Sequence, residues 1–192
     1  MKPLLDLVDD CKSNDDVCRL LEHLFELDQL SLRNEGEVAL KYGIDSKEHE
    51  SAHNETVRLN KEYVEVIKKV ISKFGWLNEG EVGKIANQTL WIIVQHSDLK
   101  TQQEFYPLME KECENGNVSK EHLAKLVDRM LILEGKEQLY GTQFRTNKDF
   151  SYELYPIKDI EEVDLRRSEV GLNSLQDELD NMNKIHQSKM SR

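Results

Sequence analysis

From residue 14 onward the apolar positions recur at steps of three and four. Val17, Leu20, Leu21, Leu24 and Leu27 form one stripe behind Asn14, which can cap a helix. The pattern predicts a helix to about Arg33, followed by a charged loop at Gly36. Ser46 opens a second helix through Tyr63, Val66, Ile67, Val70 and Phe74, and Gly75 suits a left-handed stop. A third helix is expected from about Glu81 to His96. It contains "LWIIV" at 90–94, apolar on every side and therefore central. Asp98 caps a fourth, which Pro107 should kink or break, and Ser119 caps a fifth that ends in "MLILEG".

The period then changes. "YGTQFRTNKDFSYELY" is rich in β-formers around "TNKD" and predicts a hairpin over residues 139–155. Two shorter helices follow, capped by Asp159 and by Ser174, the second running with its tail over 174–192. The expectation is a single, mainly α domain spanning residues 1–192: a multi-helix bundle with one small β-hairpin near the C-terminal third.

Composition narrows the function classes. A chain of 192 residues can bury one real core, and 38% hydrophobic with 33% charged residues suits amphipathic helices. A net charge of −11 disfavours broad attraction to nucleic acid or an anionic membrane, so neither is an expected partner; a local basic pocket can still hold an anion. Three cysteines without a dense framework suit a reducing compartment. The opening "MKPLLDLVDDCKS" has too short an apolar run for a signal peptide, and the expected location is the cytoplasm.

"HESAH" at 49–53 fits the H-E-x-x-H pattern, in which two His one turn apart share zinc and the Glu acts as base. A third ligand is missing from the sequence. Thr56 and Leu59 stand where a metzincin-like continuation needs Gly and His, and Glu79 or Glu81 begins no suitable acidic helix. The flanks "SKEHESAHNE" are charged, unlike the apolar sheath of a catalytic metal helix. The expectation is an ordinary helix start, with no metal and no cofactor.

Antiparallel packing of successive helices brings the ends of the first, third and fifth together with the starts of the second and fourth. That end collects Asp28, Gln29, Arg33, Arg58, Asn60, Gln95, His96, Asp98, Asp128, Arg129 and "QLYGTQ" at 138–143. Asp28 follows Leu24 by four and Leu21 by seven, so it points inward and needs a partner. His96 follows Ile92 by four, with the same consequence. Asp128 edges the stripe of Leu123, Val127, Met130 and Leu131, while Arg129 points away, toward a face that Ile132 and Leu133 suggest is covered.

"WIIVQHSD" (91–98) followed by "LAKLVDRMLILEGKEQLYGTQF" (123–144) resembles a bacterial family of domains of unknown function with the signature QHxD, DR, GxxQxYGTQ. "DQLSLR" (28–33), "FGW" (74–76) and "YPIKDIEEVDLRRSEVGL" (155–172) extend the resemblance to most of residues 20–175. It implies a helical fold and carries no reaction with it. The matching polar positions are Asp28, Arg33, Gln95, His96, Asp98, Asp128, Arg129, Gln138, Tyr140, Gly141, Thr142, Gln143 and Arg166. Leu77 departs from the family's usual Pro, and "HESAH" lies outside the pattern.

Two readings follow. In the first, a pocket binds, hydrolyses or transfers a small polar or anionic ligand. His96 is its acid/base group, oriented by Asp98 or Asp128; Arg129 and Arg166 hold the anion. Tyr140, Thr142 and Gln143 supply hydrogen bonds, with Asp28, Arg33, Gln95 and Gln138 in the same ligand-binding set. In the second, the polar network only fixes the helices, and an outer surface such as the acidic "LQDELDNM" helix binds a protein partner.

Overall fold

A computed structural model describes residues 2–190. A short helix α1 (Leu4–Asp10) precedes two long ones, α2 (Asn14–Tyr42) and α3 (Lys47–Phe74). Next come α4 (Glu79–Val82), α5 (Lys84–Gln95), α6 (Leu99–Glu114) and α7 (Lys120–Leu133). An antiparallel hairpin of β1 (Phe144–Thr146) and β2 (Tyr152–Leu154) leads to a 3-10 turn, then α8 (Val163–Glu169) and α9 (Leu175–Met190). The mainly α bundle with one hairpin in its C-terminal third is therefore the observed architecture.

Cross-helix bonds fix the directions. Thr89 Oγ1 donates to the Leu21 carbonyl and His96 reaches Asp28, so α5 runs parallel to α2. Trp91 Nε1 donates to the His122 carbonyl and Gln95 Nε2 to the Lys125 carbonyl, so α7 runs parallel to α5. α3 and α6 run the other way, Glu35 of α2 meeting His53 and Lys68 of α3 meeting Glu104 of α6. Leu21, Leu24, Ile67, Leu90, Ile93, Met109 and Leu126 form the core between them, all fully buried. Each such side chain contributes about 1.5–3 kcal/mol relative to exposure.

Several local expectations are corrected. The helix expected to stop near Arg33 continues through Gly36 to Tyr42, capped at its start by Ser13. A helical Gly costs only about 1 kcal/mol, less than the continued packing of α2 on α3 returns through residues such as buried Ala39. The expected third helix is two, because Gly83 adopts φ 81°. Pro107 lies inside α6, which remains one helix, its buried Phe105 and Met109 anchoring both sides. Asp159 makes no side-chain cap: it sits at φ 44° before the 3-10 turn. The strands occupy only the outer part of 139–155, and residues 139–143 form an irregular loop.

Candidate functional site

Asp28 is 2% exposed, as its place on the α2 stripe requires. Its partner is His96 at the end of α5, whose Nδ1 lies 3.1 Å from both carboxylate oxygens. Gln29 Nε2 donates to the same carboxylate at 3.0 Å. The carboxylate beside the histidine is thus Asp28 rather than Asp98 or Asp128. Asp98 is the N-cap of α6 and accepts from the Thr101 amide at 2.9 Å, a bond that holds its carboxyl below the usual range.

Asp128 is fully buried and serves a different structure. It accepts from the backbone N–H groups of Leu139, Tyr140 and Thr142 and from the Thr142 hydroxyl, at 2.7 to 3.2 Å. One carboxylate therefore folds the 138–143 loop around itself. Gln138, also fully buried, closes the loop from inside: its Nε2 donates to the Gln143 and Tyr155 carbonyls, and its Oε1 accepts from the Gln143 amide. Gly141 has φ 69°, and a Cβ there would come within 2.7 Å of Ile157 and 2.9 Å of Leu175, so the loop needs glycine at this point.

Arg166 and Arg167 of α8 hold the loop from outside. Arg166 Nε donates to the Leu139 carbonyl at 2.8 Å and its Nη2 to the Lys158 and Asp159 carbonyls. Fully buried Arg167 donates to the Tyr140, Gly141 and Asn173 carbonyls and approaches Glu178. The sequence reading singled out Arg166 and missed Arg167. Burial, followed by the Asp128 charge, pushes the Tyr140 phenol up, so it stays protonated.

The loop joins the α5 end at one atom. Gln95 Nε2 and Gln143 Nε2 both lie 3.4 Å from the Lys125 carbonyl oxygen. One turn beyond Lys125 stands Arg129. Its Nε is closed to solvent without a hydrogen-bond partner, and the guanidinium makes no hydrogen bond or ion pair among the described residues. Burial pushes it below its usual range, opposed by Tyr155. Tyr155 pairs through its amide with the Gln143 carbonyl. The Gln95 Oε1 atom is likewise buried and unpaired. A donor on α7 and an acceptor next to His96 in sequence thus remain unmatched. Arg33, one and a half turns beyond Asp28 on α2, is exposed and makes no ion pair among the described residues.

The "HESAH" segment occupies the first turns of α3, where Ser46 caps the helix through the His49 amide. His49 Nδ1 lies 2.7 Å from the Ile44 carbonyl, which makes it the donor, and His53 Nδ1 lies 2.9 Å from Glu35. Glu35 also stands 3.7 Å from His49 Nε2. Among the described residues no group of three His, Cys, Asp or Glu is arranged to hold a metal ion. No described helix is long and apolar enough to cross a membrane.

A family model described as "Family of unknown function (DUF6624)" matches residues 35–190. No curated protein and no solved structure matches the chain. His96, Asp128, Arg129 and the 138–143 loop fall inside the matched segment, whereas Asp28 and Arg33 precede it. With a match over most of its length, the chain belongs to this family, DUF6624, whose function is unknown.

Proposed function

We propose that the α2–α5–α7 end of the bundle binds a small anionic ligand, with Arg129 as the anion's partner and His96, oriented by Asp28, as acid/base group. The observation that carries this reading is the solvent-shielded, unpaired Nε of Arg129. A guanidinium cannot shed its proton near neutral pH, and on this half-buried side chain the enclosed Nε–H has no acceptor, which costs about 1–3 kcal/mol. The arginines of α8 are treated differently, since Arg166 and Arg167 meet backbone carbonyls. A singly protonated phosphate, or a carboxylate that carries a separate hydroxyl, would accept from Arg129 through its anionic oxygens and donate its O–H to Gln95 Oε1, matching both orphaned groups. The His96 side chain keeps 20% exposure, enough for contact with a ligand, while Asp28 fixes its Nδ1.

A second reading has its own support. Asp128, Gln138, Arg166 and Arg167 spend their hydrogen bonds on loop architecture, which fits a non-catalytic protein-interaction module whose polar network is structural. A thermal-shift screen with small carboxylates and phosphates separates the two. Ligand binding predicts compounds that raise the melting temperature of the wild type and not of Arg129→Gln. Equal responses of both proteins, or none in either, refute it. His96→Gln then tests chemistry: it retains a hydrogen bond but cannot exchange a proton, so binding should survive while any turnover of the hit is lost.

A further inference from the structure

Beyond Asp28 the same face of α2 continues at four-residue steps through Leu32, Gly36 and Leu40. On the other side the chain passes from Gln143 through Thr146 to Phe150 at the hairpin tip. Between these two walls lies a cavity of about 610 Å³, bordered by Leu32, Gly36, Leu40, Ile44, Thr146 and Phe150. That is within the usual range for small-molecule sites of about 300–1,000 Å³. The tip is held in place from two sides. Lys148 Nζ lies 2.5 Å from Asp45 in the α2–α3 loop, and His186 Nδ1 lies 3.0 Å from the Phe150 carbonyl. Phe150 itself has φ 63°, a conformation unfavourable for an aromatic residue, and still borders the cavity.

We propose that this cavity takes the apolar part of the ligand, so that the substrate class is an amphipathic acid: an anionic head at the Arg129–His96 end and an acyl or aromatic tail running along α2 toward Phe150. The inference rests on the anion-binding reading above. Two features orient the ligand. Leu32, on the border of the cavity, lies one helical turn from Asp28, the partner of His96. The charges also differ along its length: Arg33 borders the end nearer Asp28, and Glu35 and Glu37 border the part farther along α2, which disfavours an anionic head there.

Gly36 offers a test that does not endanger folding. A Cβ at this position meets nothing within 4 Å, and Gly36→Leu improves helix propensity while filling the cavity. Calorimetric titration of the full chain with acetate, hexanoate and octanoate, and with octanol as the uncharged control, reads both ends of the ligand. We expect affinity to rise roughly fourfold per methylene, the dependence to vanish in Gly36→Leu, and octanol to bind far more weakly than octanoate. Anions that bind through Arg129 with no chain-length dependence overturn the tail cavity and leave the anion site standing. Octanoate binding that depends on Gly36 but not on Arg129 overturns the head assignment instead. No binding of any probe overturns the amphipathic-acid inference, as does a change of oligomeric state in Gly36→Leu, which would make the cavity an interface between copies.

Discussion

Asp128 and Arg129 are neighbours on α7 and are treated in opposite ways. The carboxylate is fully buried and receives three amide N–H groups and a hydroxyl; the guanidinium beside it has an enclosed Nε with nothing to receive its hydrogen. A saturated charge has no capacity left for a ligand, and its role is to build the 138–143 loop. An unsaturated one destabilises the empty protein and stabilises whatever anion reaches it. The difference identifies which of two adjacent polar residues is architecture and which is a candidate for binding.

The largest expected effect comes from removing the architectural member. Asp128→Ala leaves the amides of Leu139, Tyr140 and Thr142 without their acceptor in a closed environment. At about 1–3 kcal/mol per stranded group, with partial relaxation of the loop, the loss should be about 3–5 kcal/mol in urea unfolding. A loss below about 1 kcal/mol would mean that the loop finds water or other partners easily, and the contrast with Arg129 would dissolve.

A smaller effect is expected from His122, which shows how a titratable group escapes the problem Arg129 faces. Its ring stacks on Trp91 at 3.9 Å between centroids and 7° between planes. Burial first, then Lys125, pushes its pKa down from 6.5 to about 4. Between those values the unfolded chain holds a proton that the folded chain has released. This contribution to stability is therefore complete above about pH 6.5 and is lost as pH falls toward about 4. With allowance for the ring's remaining exposure it amounts to at most about 2 kcal/mol. His122→Phe keeps a ring against Trp91 and removes the titration. The wild type should lose more stability than this variant between pH 7 and pH 4.5; equal losses would show that the ring titrates normally.

Much of this was legible before any coordinates. The spacing of Leu21, Leu24 and Asp28 turns the carboxylate inward, and alternating helix directions carry it to the end that holds His96. What spacing does not contain is which of several acids reaches the imidazole. Asp98 is close in sequence but is claimed by the start of α6, and Asp28 arrives from 68 residues away. Arg167 stayed hidden because α8 has only seven residues, too few for a period to separate it from Arg166. The expected stop near Arg33 hid most. With α2 ended there, neither the contact of Glu35 with His53 nor the wall of Leu32, Gly36 and Leu40 can be drawn, because both depend on helix-on-helix packing outweighing a glycine.

The smallest stability effect, and the most decisive for the comparison, belongs to Arg129→Met. Methionine fills similar space along the same stem and removes a charge that has no partner among the described residues. Removing a half-buried guanidinium whose enclosed Nε–H has no acceptor is neutral or stabilising, so urea unfolding should shift between zero and a gain of about 1 kcal/mol. The same variant should lose the anion response of the wild type. Arg129→Lys sharpens the point, since it keeps the charge and loses the planar two-armed donor; partial binding would indicate recognition by charge, and none would indicate recognition by geometry. A loss of 3 kcal/mol or more in Arg129→Met would mean that the guanidinium is paired in solution, as Asp128 is, and that the two neighbours are parts of one structural network.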